Sequence, residues 1–419
     1  MSRFSIFRYY LKYKYQKFDR KLDLVKYQEK KLRKHLRFVT DNSGFYRPYS
    51  NKSLKDFPIV DKETMMPVFD TWNTVHINRD EAERLAIESE KTRDFAPKLG
   101  SITVGLSSGT SGNRGLFLIS DKEKDKWAGF VLAKFLPGSI LGKYKIAFFM
   151  RADSNLYENV GTRRIQFKFF DIYKSMHANI IALSGFSPDI LVAQPSQLLL
   201  IAREILNKKL VLNVKRVISI AEVLEPSDAE ILKEAFGVSV IHQAYQCTEG
   251  MLGVTCKYGT IHLNENLVYI EKDKLDDTRF VPIITDFERT SQPIIRYRLN
   301  DILVEKQTPC RCGSKCLALC KVEGRKDDCF VHNGTIIFPD FVRRCVLFAG
   351  DISEYRIVQN SETHITVYAT LTDKQKQRLS HELNKLFYES WMYVPCVEFK
   401  DYSFDNSKKL KRVESEVKK

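Results

Sequence analysis

From just after Arg47-Pro48 to about Arg298 the chain alternates short apolar runs with amphipathic stretches, and this alternation restricts the architecture more than any other feature. Ile146-Ala147-Phe148-Phe149, Asp189-Ile190-Leu191-Val192-Ala193, Val217-Ile218-Ser219-Ile220 and Val238-Ser239-Val240-Ile241 have the length and residue types of strands. Ser196 to Asn207 and Pro226 to Phe236 read as the helices between them. The pattern predicts α/β layering around a largely parallel sheet. The last ~90 residues form a separate block, with a strand at Ile365-Thr366-Val367-Tyr368 and a helix from Asp373 to Phe387. A small α+β lid suits that block, and 419 residues are enough for a large domain plus a smaller one.

The net charge of +15 is concentrated at the ends. Residues 1–50 hold 14 Lys plus Arg against 4 acidic residues, and residues 408–419 hold 6 against 2. The body between is near +1, which excludes a nucleic-acid-binding surface there. Tyr10 to Val39 has helical periodicity, with Leu11, Phe18, Leu22, Leu32 and Leu36 among charges, and Ser43-Gly44 and Arg47-Pro48 end it. This basic segment is expected as a solvated helical pair covering the main domain. The alternative is peripheral contact with an anionic membrane or an acidic partner. No uncharged apolar run approaches the ~20 residues that span a bilayer, and Met1 to Arg20 lacks the apolar stretch of a secretory signal. Nine cysteines in a chain without an export signal imply reduced thiols and a cytoplasmic location, so metal binding ranks above disulfides.

The sharpest local signal is Leu106-Ser107-Ser108-Gly109-Thr110-Ser111-Gly112-Asn113-Arg114-Gly115. Such a loop is rich in exposed N–H and O–H donors able to wrap nucleotide phosphates, and Arg114 adds a fixed positive charge. It lacks the Gly-Lys-Ser/Thr ending of a Walker loop. A second cluster concerns metal. Cys256 and His262 have five residues between them, and Cys310 and Cys312 form a C-x-C pair some fifty residues later. Soft thiolates with one imidazole suit a four-coordinate structural Zn²⁺, with Cys316 and Cys320 as competing ligands. His242 and His177 have no visible Ser or Asp arrangement around them, so a hydrolase triad is not supported.

Four further segments give the loop a context: Tyr245-Gln246-Cys247-Thr248-Glu249, Pro293 to Asp301, Glu323-Gly324-Arg325-Lys326-Asp327-Asp328 and Asn333-Gly334-Thr335-Ile336-Ile337-Phe338-Pro339. In this order, with the loop, they resemble the motifs of the adenylate-forming (ANL) superfamily, most nearly its phenylacetate–CoA ligase and CapK-like branch. The resemblance implies a large layered α/β N-terminal adenylation domain over residues 46–326, preceded by a basic helical segment over residues 1–45. A mobile C-terminal domain over residues 327–419 would turn about Asp327 and Asp328.

The same resemblance implies the chemistry. A carboxylic acid is activated by ATP to an acyl-AMP with release of pyrophosphate, and the acyl group then passes to coenzyme A. Ser107, Ser108, Gly109, Thr110, Ser111, Gly112 and Arg114 would hold the phosphates. Glu249 would bind Mg²⁺, which favours hard oxygen ligands, and Thr248 would donate to the α-phosphate. Ala221 and Glu222 fall where the family has its adenine wall, and Tyr245 belongs to the nucleotide site. Asp301 would accept the ribose hydroxyls and Arg325 would approach the ribose or phosphates. Ser407-Lys408-Lys409-Leu410-Lys411-Arg412 is similar to the family's ending that carries a catalytic lysine, which puts that lysine at Lys409 with Lys411 close by. Departures are Gln246 for Gly, Leu299-Asn300 for Thr-Gly, and Ile220 beside the adenine position. Two alternatives remain open. In one, adenylation is followed by a non-CoA acceptor or an AMP ester as product. In the other, the chain is a non-catalytic scaffold in surface-polysaccharide biosynthesis.

Overall fold

The computed structural model describes residues 2–107, 115–150, 164–172, 174–350, 352, 354–403 and 410–417. The chain divides into two compact units. One comprises Met1–Asp273, Pro282–Leu299 and Glu305–Cys320; the other comprises Lys274–Val281, Asn300–Val304 and Lys321–Lys419.

The larger unit is built on the predicted parallel sheet. Strands β3 (Tyr144–Met150), β4 (Ile165–Asp171), β5 (Ile190–Ala193), β6 (Arg216–Ile220) and β7 (Ile241–Cys247) run parallel in the order β4-β3-β5-β6-β7. β8 (Gly250–Thr255) and β9 (Ile261–Leu263) extend it antiparallel, and Ala318-Leu319 pairs with β9. Successive side chains of a strand point to opposite faces. Ile146, Phe148, Ile190, Val192 and Ile218 therefore enter one core, while Ala147, Phe149, Leu191, Ala193 and Val217 enter another. Helices Met176–Phe186, Pro195–Leu206 and Pro226–Phe236 alternate with the strands, as the pattern required. One boundary moves. Val238-Ser239-Val240 precedes β7 because helix Pro226–Phe236 ends on Gly237 in the left-handed region (φ 64), and the Val238 N–H turns back to the Lys233 carbonyl.

A separate hairpin joins β1 (Ile102–Leu106) to β2 (Leu116–Ser120). The N-terminal helical stretch is two helices, α1 (Arg3–Tyr15) and α2 (Lys21–Asn42). α1 seats Ile6, Tyr9, Tyr10 and Tyr13 against helix Asp121–Phe135, and the periodic Leu11 and Leu22 stay exposed. Tyrosines fill the seat because Gly129 lets the helices close up: a Cβ there would meet the Tyr9 Cβ at 2.5 Å.

The smaller unit is α+β. Tyr355–Ser361, His364–Ala369, Cys396–Lys400 and Val413–Ser415 form a four-stranded sheet. Helices Pro339–Ala349 and Asp373–Trp391 contribute Val342, Val346, Leu379, Leu383 and Phe387 to its core. The fold class is therefore the expected large layered α/β unit with a small α+β unit. Among the described residues no helix is long and apolar enough to cross a membrane.

Candidate functional site

The serine- and glycine-rich segment lies in sequence between β1 and β2. Its ends are tied at Ser107, whose N–H donates to the Gly115 carbonyl (2.8 Å) and whose hydroxyl accepts the Gly115 N–H (2.8 Å). Ser108, Gly109, Thr110, Ser111, Gly112 and Arg114 lie outside the described residues. Behind the hairpin, Gln292 pairs with one edge of β2 through both ends of its amide. Its amide oxygen accepts the Leu118 N–H (3.0 Å) and its NH₂ donates to the Leu116 carbonyl (3.1 Å).

Thr248 and Glu249 occupy the tip of a tight hairpin, because Cys247 pairs with Gly250 where β7 turns into β8. Tyr245 is half-buried in β7 opposite Gly253. Three buried groups hold the hairpin tip. Arg289 donates to the Thr248 carbonyl (3.2 Å), and its other terminal nitrogen reaches the Leu118 carbonyl (3.4 Å) and Gln292 (3.2 Å). One buried guanidinium thus joins the strand leaving the loop to the Thr248-Glu249 turn. Tyr297 lies beside the Glu249 side chain; burial and the Glu249 charge push its hydroxyl pKa up, so the phenol stays protonated. The Asp286 carboxyl lies where a Cβ on Gly250 would sit, 2.6 Å from one oxygen. Burial raises its pKa to about 7, against the Glu288 N–H and the Arg289 charge.

Tyr297 is itself locked by the backbone. Val60 N–H donates to the Arg296 carbonyl (3.1 Å) and Arg298 N–H donates to the Val60 carbonyl (2.7 Å). Arg296 is committed to a two-pronged ion pair with Glu271 (3.0 and 2.9 Å) and to the carbonyls of Lys55 and Phe57. Ala221 adopts a left-handed conformation (φ 65) at the end of β6, a conformation that costs a residue with a Cβ and that glycine accepts freely. Glu222 accepts the Ser196 N–H (3.2 Å), which puts its carboxylate at the positive end of helix Pro195–Leu206.

In the smaller unit Asp301 opens the strand Asp301–Glu305 and Arg325 ends Ala318–Arg325. Asn300 bridges to both following residues of interest: its side-chain amide donates to Asp327, and its carbonyl accepts the Lys326 N–H (2.7 Å). Asp328 is buried and paired with Lys411 (2.8 Å), with Arg325 nearby. Burial still raises its pKa, with Lys411 acting against it. Lys409 lies outside the described residues.

Cys256, His262, Cys310 and Cys312 come together in the larger unit, with ligand atoms all within 4.8 Å of one another. The Tyr258 N–H donates to the Cys256 thiol (3.4 Å), and the Cys256 and Cys310 sulfurs lie 3.8 Å apart. His262 Nε2 faces Cys312 Sγ (3.2 Å), while Nδ1 lies 3.2 Å from the Cys316 carbonyl. With Nδ1 donating to that carbonyl, Nε2 is left as the ligand atom. Burial pushes the Cys310 thiol up, but the Cys312 N–H and neighbouring side-chain donors outweigh it and bring it to about 6. Cys316 and Cys320 stand apart from the four. Cys316 contributes only its carbonyl to His262, and Cys320 faces solvent and the Glu305 carbonyl.

Sequence reasoning gave no role to Arg289, Gln292 or Tyr297. Arg289 and Gln292 sit in a polar loop without periodicity, and their importance comes from carbonyls and amides more than 170 residues away. Tyr297 was inside a quoted motif, but its partner, Glu249, belongs to another.

This architecture is the adenylate-forming fold. No model of a protein family matches the chain. Among solved structures, 2-hydroxyisobutyryl-CoA ligase in the postadenylation state with R3-HIB-AMP superposes with a TM-score of 0.67. It covers 95% of this chain and 90% of that one at 17% identity. The GH3.15 acyl acid amido synthetase superposes with a TM-score of 0.57, over 90% and 86% of the two chains, at 14% identity. Among curated proteins, Protein CapK of Staphylococcus aureus is 26% identical over 215 residues, 49% of this chain and 47% of CapK. The match thus spans about half the length of that curated relative.

Proposed function

We propose that this chain is an ATP-dependent acid ligase. The carboxylate oxygen of a small carboxylic acid attacks the α-phosphorus of ATP, the bond to pyrophosphate breaks, and an acyl adenylate forms. A coenzyme A thiol then displaces AMP to give a thioester. One observation carries this reading: Arg289 ties β2, which leaves the phosphate loop, to the Thr248-Glu249 hairpin tip, so two motifs far apart in sequence share one buried support.

Glu249 fits a hard divalent cation. It is a carboxylate at a hairpin tip beside the protonated Tyr297 hydroxyl, which adds no competing positive charge. Bound Mg²⁺ would neutralise phosphate charge. Thr248 would donate to the α-phosphate, and Ser107 to Arg114 would wrap the phosphates through N–H groups and one guanidinium. Tyr245, Ala221 and Glu222 would border the base, Asp301 would accept the ribose hydroxyls, and Arg325 would approach the ribose or phosphates. The ion pair of Lys411 with Asp328 favours Lys409 as the mobile cation, since Lys411 is occupied as a strut. Residues 327–419 would then act as a lid turning about Asp327 and Asp328, serving two half-reactions in turn. Zn²⁺ at Cys256, His262, Cys310 and Cys312 would be structural, because four protein ligands leave no open position. All nine cysteines are free thiols, which supports a reducing, cytoplasmic setting.

The test is hydroxylamine trapping over a panel of carboxylic acids, with AMP and free thiol measured in parallel. Acid-dependent AMP with hydroxamate, followed by loss of coenzyme A thiol, is the expected result. AMP formation without thiol loss assigns a different acceptor. No AMP with any acid overturns the ligase reading.

A further inference from the structure

α1 has two apolar faces, and only one is used. Ile6, Tyr9, Tyr10 and Tyr13 are buried against helix Asp121–Phe135. On the opposite side Phe4 is 77% exposed, Phe7 41%, Leu11 38% and Tyr15 72%. The spacing of three, four and four residues places these four in one stripe along the helix. Arg3 and Lys14 fall along one flank of the stripe, Arg8 and Lys12 along the other, and α1 contains no acidic residue. The outer face of a solvated surface helix is ordinarily polar; here it is aromatic and edged with cations.

The helix cannot rotate to hide this stripe. The Ser2 N–H donates to the Asp125 carboxylate (3.2 Å), the Lys14 ammonium to the Gly138 carbonyl (3.2 Å), and the Ile140 N–H to the Tyr10 hydroxyl (3.2 Å). Close approach at Gly129 fixes the seated face as well. α2 adds an exposed row of Lys26, Lys30, Arg33, Lys34 and Arg37, at spacings that share a helix face.

We propose that α1 is a membrane-surface anchor. The Phe4, Phe7, Leu11 and Tyr15 stripe enters the headgroup–acyl boundary of an anionic lipid surface, and the exposed flanking Arg3 and Arg8 meet the lipid phosphates. Large aromatic and aliphatic side chains bordered by Lys and Arg are the composition of an interfacial helix. Four side chains in a single row also offer far less than the ~800 Å² per partner of a standard protein interface. That favours lipid over a folded acidic protein. The proposal is independent of the reaction assigned above.

The test is sedimentation of the full chain with vesicles of neutral phosphatidylcholine and with vesicles containing phosphatidylglycerol or phosphatidylserine. Binding to the anionic vesicles that weakens with salt is expected, together with at least about tenfold loss of binding in Phe4→Ser/Phe7→Ser/Leu11→Ser. A second variant, Arg3→Gln/Arg8→Gln, should weaken anionic binding while keeping the aromatic stripe. Both variants should retain the wild-type melting temperature, because the altered side chains point away from the seat. No binding to anionic vesicles, equal binding to both lipid types, or self-association lost with the stripe but without vesicle binding would each overturn the proposal.

Discussion

The Tyr297 hydroxyl lies beside the Glu249 side chain, and so brings the Pro293–Asp301 motif against the Thr248-Glu249 hairpin tip. A neutral phenol beside a carboxylate can orient it without adding a competing positive charge, as a cation ligand requires. In Tyr297→Phe that hydroxyl is lost while the ring still packs. Acid-dependent turnover should fall by roughly tenfold and the magnesium dependence should shift to higher concentration, with little change in melting temperature. Wild-type turnover with an unchanged magnesium dependence would show that the contact is incidental.

Arg289 is buried and donates to backbone carbonyls of β2 and the Thr248 turn. Replacing it with Met orphans those carbonyls and removes the cation that most lowers the pKa of buried Glu123. The expected destabilisation is about 3 kcal/mol, measured by urea unfolding. Arg289→Lys keeps the charge but not the fork. It should fold and lose turnover rate more than substrate affinity, because it disturbs the relative placement of two motifs.

The four-residue Cys/His cluster predicts one zinc per chain in freshly purified reduced protein, measured by elemental analysis. Cys310→Ser should lose that zinc and melt at lower temperature, and a strong chelator should do the same to the wild type. Cys320→Ser should retain full zinc, since Cys320 lies outside the cluster. Zinc loss from Cys320→Ser would reassign the ligands.

His35 is buried in α2, and its Nε2 has no hydrogen-bond partner among the described residues. Burial lowers its pKa to about 4; the Glu288 and Glu123 charges raise it, and Lys126 and Lys31 lower it further. The folded pKa is thus below the unfolded value near 6.5. The associated stability is present above pH 6.5 and is lost as pH falls from there towards 4, by about 3 kcal/mol. Asp286, raised to about 7, contributes with the opposite sign over the same range. Comparison with His35→Gln isolates the histidine: the variant's stability should fall less steeply between pH 6.5 and 4. Parallel curves would contradict the assignment.

The sheet was legible because its strands are runs of apolar residues too short for helices, and both of their faces are buried. The convergence of Cys256, His262, Cys310 and Cys312 was legible because thiol and imidazole side chains at turn spacings have few uses other than holding a metal. What escaped was support. Arg289 and Gln292 act on backbone groups, which carry no sequence signature, and their partners lie across long loops. The N-terminal helices were read from leucine periodicity, yet the seat is made by tyrosines that Gly129 allows to approach. Leu11 was placed correctly in a helix, but it faces outward.

The measurement that tests the central claim most directly is exchange of labelled pyrophosphate into ATP, with and without a carboxylic acid, in wild type and Glu249→Gln. Reversible acyl-adenylate formation predicts exchange that requires the acid and magnesium and falls at least about a hundredfold in Glu249→Gln, with ATP binding largely retained. Exchange that no acid stimulates, or that Glu249→Gln leaves at the wild-type rate, would contradict the account.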